Sequence, residues 1–338
     1  MKKTFCMFAV LGATGSALAQ TQVSIYGIAD IGIAQADTSA ASATWRMDSG
    51  NQSGSRLGFR GTEDLGNGLS AIFTLENGYS LDAGTLGQGG RLFGRQGFVG
   101  LNSTRLGMLK LGRQYTPMHL AQDAVDPFNV NLAGNMQNIF TANGLNPAGS
   151  TIGMQDVRMD NTVNYTAPRL GGFSAEIAYG LGEIAGTSSA GRQFGFSAGY
   201  RAGQLNLVLS HHDANIAATG ADGRATMLGG TYDFGVFKLH AAFAGNRIAA
   251  AAAAPDRKSR DAMLGVSAPV AGGVLLASYV HHDDRLAAGA IDARQAALGY
   301  TYPLSKRTNL YTSYARLDRK PAGASDTSLF NAGIRHRF

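Results

Sequence analysis

Cysteine is all but missing. The 338 residues contain one, Cys6, within an N-terminal stretch that has the marks of an export signal. Lys2 and Lys3 precede an apolar run, Phe5 to Leu11, and Ala17-Leu18-Ala19 supplies a small-x-small cleavage site. Residues 1–19 are therefore expected to be removed, leaving a mature chain that starts at Gln20. The run is too short to anchor in a bilayer. Cys6 has no small-residue site before it that would suit a lipid-modified N-terminus. The mature chain would carry no disulfide and no cysteine metal site, so an exported protein of this size must be held together in another way.

Long apolar runs are lacking too. No stretch after residue 19 has 18 consecutive apolar residues, which excludes a transmembrane helix. Charged residues are 15%, well under the usual quarter. Without Lys2 and Lys3, 27 basic residues face 23 acidic ones, a net charge of +4. These charges are scattered, which argues against nucleic-acid binding. No G-x-S-x-G, H-E-x-x-H or P-loop occurs. The glycine-rich GQGGRLFG at 87–94 leads into a strand pattern, not a helix, so a nucleotide site fails. No third residue is placed to orient a Ser–His or Asp–His pair. The chain reads as a non-enzyme without cofactor.

What is abundant is glycine, 46 residues, and strict two-residue alternation. QVSIYGIADIGIAQ (22–35) puts Val23, Ile25, Gly27, Ala29, Ile31 and Ile33 on one face, with Ser24, Tyr26, Ile28 and Asp30 on the other. That is strand periodicity. Residues 36–53 are small and polar and read as loop. Further strands are expected at 54–65, 67–80, 91–102, 105–115, 157–168, 171–182, 191–201, 203–213, 224–234, 236–247, 258–269, 272–284, 292–302, 307–318 and 326–338. Asp64-Leu65-Gly66-Asn67-Gly68 is a tight-turn signal. Ala249 to Ala254 reads as low-complexity filler in a loop, since flanking Pro255 and charge leave it nothing to pack on. No segment carries a helix signal. Short connections alternate with longer polar ones.

Sixteen antiparallel strands, with short turns at one end and long loops at the other, form the layout of an all-β, closed transmembrane barrel. Strand length fits, because about 9–11 tilted residues cross the hydrocarbon. In lipid every backbone group must be paired within the sheet, so the sheet must close. In the final SLFNAGIRHRF, Phe330, Ala332, Ile334, His336 and Phe338 share a face, and Asn331, Gly333, Arg335 and Arg337 share the other. A barrel places the first set in lipid and the second in a watery lumen. Tyr279, Tyr302, Tyr311 and Phe237 read as boundary aromatics. The longest segment without alternation, 116–156, is too long for an ordinary connection. It is expected to fold into the barrel mouth and narrow it.

Several stretches are similar to one family. VSIYGIADIGI (23–33), SGSRLGFRGTEDLGNGLSAIFTLE (53–76), FGRQGFVGL (93–101), LGRQYTP (111–117), DAVDPF (123–128), MDNTVNYTAP (159–168) and GIRHRF (333–338) resemble the beta-proteobacterial general porins. The resemblance implies a homotrimer of sixteen-stranded barrels in the outer membrane, in contact with its lipid and lipopolysaccharide. Each barrel would carry its third extracellular loop folded inward. It implies a pore for small hydrophilic solutes and anions, with arginines at the narrowest point: Arg56 in SRLG, Arg95 in FGRQ and Arg158 before MDNTV. It also implies that Phe338 is part of the signal read by the barrel-insertion machinery.

Alternation independently gives Arg56 and Arg95 lumen parity, although Phe93 spoils the rule beside Arg95. It does the same for Arg158, set opposite to Met159, Val163 and Tyr165. Arg60 joins them by parity with Arg56. Asp123 and Asp126 on the long loop face this basic set, and the VDPF tip departs from the Pro-Glu-Phe-Gly form of the wider group. Excess positive charge across a narrow water path favours anions. Arg113 shares parity with Leu109 and Leu111 and reads as an anchor at the loop base. Asp30 and Lys110 have lumen parity without a reason to place them at the narrowest level. His211-His212-Asp213 and His281-His282-Asp283-Asp284 are expected as solvated polar residues at strand ends, not as a metal site. Two other readings stay open: a channel selective for small organic anions, and a plugged, adhesive barrel.

Overall fold

The computed structural model describes residues 22–38, 41–140, 157–187, 189–216, 221–249, 256–285, 292–320 and 326–338. The expected export signal (1–19), the far part of the long loop (141–156) and most of the alanine run lie outside them. The strands are β1 (Gln22–Thr38), β2 (Ala41–Ser49), β3 (Arg56–Gly66), β4 (Leu69–Ser80), β5 (Thr85–Leu86), β6 (Gln96–Ser103), β7 (Gly107–Tyr115), β8 (Arg158–Thr166) and β9 (Phe173–Gly180). They continue as β10 (Gln193–Ala202), β11 (Leu205–Ile216), β12 (Ala221–Asp233), β13 (Lys238–Ala249), β14 (Arg257–Val270), β15 (Gly273–Asp284), β16 (Asp292–Pro303), β17 (Thr308–Lys320) and β18 (Thr327–Arg337).

Each strand pairs antiparallel with its neighbours in one sheet. β1 closes it on β18, from Ile28 opposite Arg337 to Thr38 opposite Thr327. β2 and β3 are two lengths of a single wall strand, since both pair with β1, at 31–38 and 22–28 respectively. β5 is a two-residue pairing within the connection after β4. The closed wall therefore has sixteen strands. The expected boundaries from β8 to β18 are met within about three residues, the usual uncertainty of strand ends read from sequence. Two expectations are corrected. The stretch 36–53 is not all loop, because β1 runs on to Thr38 and β2 (Ala41–Ser49) folds back on its 31–38 half. The strand expected from Arg91 begins only at Gln96, so Arg95 stands at its mouth.

Alternation sorts the wall into two faces. Met227 is fully buried while Leu228 is 57% exposed, and Ala244 is buried while Phe243 is 53% exposed. The exposed set, with Leu264, Tyr279, Leu298 and Tyr314, is the apolar outer band that lipid covers. The inner face carries Asn164, Ser210, Asp261, His282, Gln295 and Asn331, all buried. Tyr279, Tyr302 and Phe237 are exposed, but Tyr311 is not: it is 4% exposed and points inward, in phase with Asn309 and Ser313. His211 to Asp213 lies near the end of β11 and His281 to Asp284 ends β15, as expected, but these histidines are not all solvated. His282 and His212 are wholly buried, and His282 Nδ1 bonds Asp261. Among the described residues, no group of three or more His, Cys, Asp or Glu is placed to hold a metal ion.

The first part of the long segment is helical, against expectation. α1 (Pro117–Val125) starts at an N-cap whose signal is in the sequence: Thr116 Oγ1 accepts from His119 N at 3.1 Å, and Pro117 occupies the first turn. Such a cap is worth about 1 kcal/mol. Met118, Ala121, Gln122 and Val125 form its buried face, and Met118, Ala121 and Val125 join a cluster with Ala225, Met227, Ala242, Ala244 and Met263 of the wall. The tip is held more tightly still. Phe128 lies between Gly134 and Gly299, so close that a Cβ on either would overlap its ring. Gln295 Nε2 donates to Gly134 O and Asn135 O, and Ser313 Oγ accepts from Ala133 N at 2.9 Å.

Candidate functional site

Three of the four expected basic residues meet around Glu76 and Tyr115. Arg95 Nε donates to Glu76 Oε1 at 2.9 Å, and Arg56 Nη1 stands 3.9 Å from Glu76 Oε2. Tyr26 closes the carboxylate by donating to Oε2 at 3.0 Å. Arg95 Nη2 donates to the Tyr115 hydroxyl at 2.5 Å, and Arg158 Nη2 reaches the same oxygen at 3.2 Å. The Arg158 guanidinium lies over the Tyr115 ring, 4.7 Å from its centroid. Stacking on an aromatic face suits guanidinium's weak hydration. Arg60 stands apart from this set. It is exposed and lies over the Tyr26 ring at 5.1 Å.

Parity does not place Arg158. Met159, expected to face lipid, is wholly buried, whereas Val163 and Tyr165 are exposed. The pairing of β7 with β8 shifts register between Gly112 and Gln114, and Asn161 takes a left-handed backbone at φ 51°. An extra residue in one strand turns the following side chains over, so the alternation seen at 162–165 ends there. Arg113 donates from Nε to Gly94 O at 2.7 Å and from Nη1 to Asp160. It thereby ties the strand that enters the long segment to the strand that leaves it.

The two acids have different surroundings. Asp123 is half-buried and shares a cavity of about 680 Å³ with Arg56, Arg201, Lys238, Arg335 and Arg337. Burial raises the Asp123 carboxyl, and the Arg56 charge opposes that rise. Asp126 is 2% exposed. Its oxygens accept from the backbone N–H groups of Phe128, Val130 and Met136 at 3.1, 2.9 and 3.1 Å. It lines the same cavity as Asp123, but both its oxygens are taken by backbone N–H groups, so it folds the tip of the segment. Burial pushes it up to about 7 against those three bonds. His119 stacks on Tyr115 at 5.2 Å. Burial first, and the charges of Arg158, Arg95 and Arg56 next, lower it to about 4.

Glu76, Tyr115 and Tyr26, which link the arginines, carry no local signal in the sequence, and neither does the task of Asp30. Asp30 is fully buried on the inner face of β1. Lys110 pairs with Glu176 at 3.8 Å, away from this cluster. At the other end of the chain, Phe338 exchanges backbone hydrogen bonds with Gly27, at 3.0 and 3.1 Å. Its ring covers Gly27 so closely that no Cβ would fit there.

Comparison with known proteins agrees with this architecture. A family model described as Gram-negative porin matches residues 7–322. An outer membrane porin protein of Bordetella pertussis is 35% identical over 399 residues, covering all of both chains. Outer membrane porin protein 32 of Delftia acidovorans is 33% identical over 373 residues, again with full coverage of both. Among solved structures, an anion-selective porin from Comamonas acidovorans superimposes with TM-score 0.83 at 31% identity, over 94% of this chain and 100% of that one. An outer membrane protein of Vibrio cholerae shares the fold at TM-score 0.72 and 16% identity. The chain belongs to the Gram-negative porin family of outer-membrane β-barrels.

Proposed function

We propose that the protein is a general diffusion porin, an anion-preferring channel for ions and small hydrophilic solutes that works as a homotrimer and not as an enzyme. The observation that carries the anion preference is the sign of the charge lining the 680 Å³ cavity. Arg56, Arg201, Lys238, Arg335 and Arg337 face Asp123 and Asp126 there, and the Asp126 oxygens are bonded to backbone. Arg95 and Arg158 add two cations beside Arg56, of which Glu76 offsets one. At an effective dielectric constant of about 20, one unit charge about 10 Å from a permeating ion is worth on the order of 1 to 2 kcal/mol before screening. A surplus of several cations is enough to set ion preference.

In this reading residues 116–156 form the constriction loop, with Arg113 at its base and Asp123 opposite Arg56. Phe338 serves as the C-terminal assembly signal, and its tight seat on Gly27 also suits a residue that completes the closing seam. The trimer is supported by the similarity to porins, one solved as a trimer form. The decisive experiment is the reversal potential in a salt gradient across a planar bilayer. Wild type is expected to prefer anions and to open in steps of three. Replacing Arg56, Arg95 and Arg158 by Ala together is expected to lower the anion-to-cation permeability ratio about tenfold, the equivalent of 1.4 kcal/mol. An unchanged ratio in the triple variant would overturn the arginine assignment.

A further inference from the structure

We infer that Asp30, on β1, is the positioning residue for Arg56. Between β2 and β3 the wall strand leaves its ladder for residues 50–55, and this detour ends at Arg56. Both ends and the middle of the detour are tied to Asp30. Its Oδ2 accepts from Gln52 N at 3.0 Å and Ser53 N at 2.6 Å. Its backbone O accepts from Gly50 N at 2.8 Å and Ser55 Oγ at 3.0 Å, and its N donates to Ser55 Oγ at 3.1 Å. The other carboxylate oxygen, Oδ1, accepts from Tyr311 across the closing seam at 2.6 Å.

The detour in turn holds the guanidinium. Arg56 Nε donates to Gly54 O at 2.9 Å. Gly54 lies against the Arg95 guanidinium, since a Cβ there would fall 2.6 Å from Arg95 Nη1 and displace it. The same turn receives the tip of the long segment, as Leu132 N donates to Asn51 O at 2.7 Å. One buried carboxylate therefore fixes both the height of Arg56 and the docking point of the segment that faces it. A group that fixes a first residue through its supporting shell sets function at the scale of an ångström.

The inference rests on Arg56 governing selectivity, and its sign separates it from plain electrostatics. Removing an acid near the lumen adds net positive charge and by itself raises anion preference. Losing the Arg56 position lowers it. Reversal potentials are to be measured for Asp30→Ala, Tyr311→Phe, Arg56→Ala and the Asp30→Ala/Arg56→Ala pair, in protein shown by heat-modifiable migration to be folded. Asp30→Ala is expected to lower the permeability ratio about threefold, a loss of under 1 kcal/mol, and to add nothing in the Arg56→Ala background. Tyr311→Phe changes no charge and is expected to lower the ratio as well, which keeps the test open should Asp30→Ala fail to fold. A ratio that rises or holds in both Asp30→Ala and Tyr311→Phe while Arg56→Ala lowers it overturns the positioning role alone. No effect of Arg56→Ala overturns the selectivity assignment and this inference together.

Discussion

The guanidinium groups of Arg95 and Arg158 meet at one phenol oxygen: both donate to the Tyr115 hydroxyl, at 2.5 and 3.2 Å. Two like charges converge there because the oxygen has lone pairs for both and the ring face takes Arg158 at 4.7 Å. Glu76 balances Arg95 from the other side. Tyr115→Phe keeps the ring and deletes the shared acceptor, a loss of about 1.5–3 kcal/mol for a hydrogen bond to a charged group. The two arginines are then expected to separate. The permeability ratio should fall by less than in the triple arginine variant, with unitary conductance altered in the same recordings. A Tyr115→Phe channel identical to wild type would show that the hydroxyl does not order the arginines.

His119 sits among three arginines yet contributes no charge at neutral pH. Its pKa of about 4 lies below the ordinary imidazole value of about 6.5. Selectivity recorded between pH 8 and pH 5 is therefore expected to show no step from this residue, and the profile of His119→Gln should match that of wild type. The stability sign follows from the same shift. Between about 6.5 and 4 the unfolded chain binds the proton that the folded chain refuses, so the segment loses stability as pH falls through that window. After correction for intrinsic rates, protection of the amides of residues 118–125 is expected to fall below pH 6 in wild type and less so in His119→Gln.

Asp126 titrates with the opposite consequence. Its folded pKa, about 7, stands above the ordinary carboxylate value of about 4. The folded state then binds a proton that the unfolded state has released. The resulting stability is complete below about pH 4 and is lost as pH rises through about 7. Protection of the Phe128, Val130 and Met136 amides, after correction for intrinsic rates, is expected to be greater at pH 5.5 than at pH 8.5. Asp126→Ala should remove that dependence and lower protection throughout. It leaves three backbone donors without an acceptor, at about 1–3 kcal/mol each where they stay dry.

The wall was legible because lipid and lumen impose opposite chemistry on alternate residues, as Met227 and Leu228 or Ala244 and Phe243 show. Where that contrast weakens, the sequence was silent. Ala36 to Ser53 is mostly small and polar, and Trp45 and Met47, its two large apolar residues, are too few to show an alternation, so β2 and the turn that carries Arg56 could not be told from loop. The extra residue in β8 hid the true phase of Met159. Thr116-Pro117 did announce a helix start, but nine residues are too few for periodicity to stand out. Glu76 and Tyr115 could not be found locally, because they meet Arg95 and Arg158 across 19, 20 and 43 residues of chain. Tyr311 was misread for a related reason: aromatic character alone does not say which face it serves.

The seat of Phe128 gives the sharpest mechanical test of the long segment. The ring is 2% exposed and wedged between Gly134 and Gly299, with a Cβ on Gly299 falling 2.8 Å from Phe128 Cε1 and 3.3 Å from Ser313 Cβ. Gly134 blocks retreat on the far side, so Gly299→Val is expected to force the ring out. Overpacking of this kind costs about 1–3 kcal/mol. With the tip lifted, unitary conductance should rise and anion preference should fall. Phe128→Ala unhooks the tip by the opposite defect, leaving a void that costs about 3–5 kcal/mol. Combining the two puts the valine methyl groups into the space the ring vacated. The double variant is therefore expected to lie nearer to wild type in conductance than either single variant, the non-additivity of residues that share a contact or a cavity. Additive single effects would mean that Gly299 and Phe128 act on the pore by separate routes, and that the ring does not hold the segment in place.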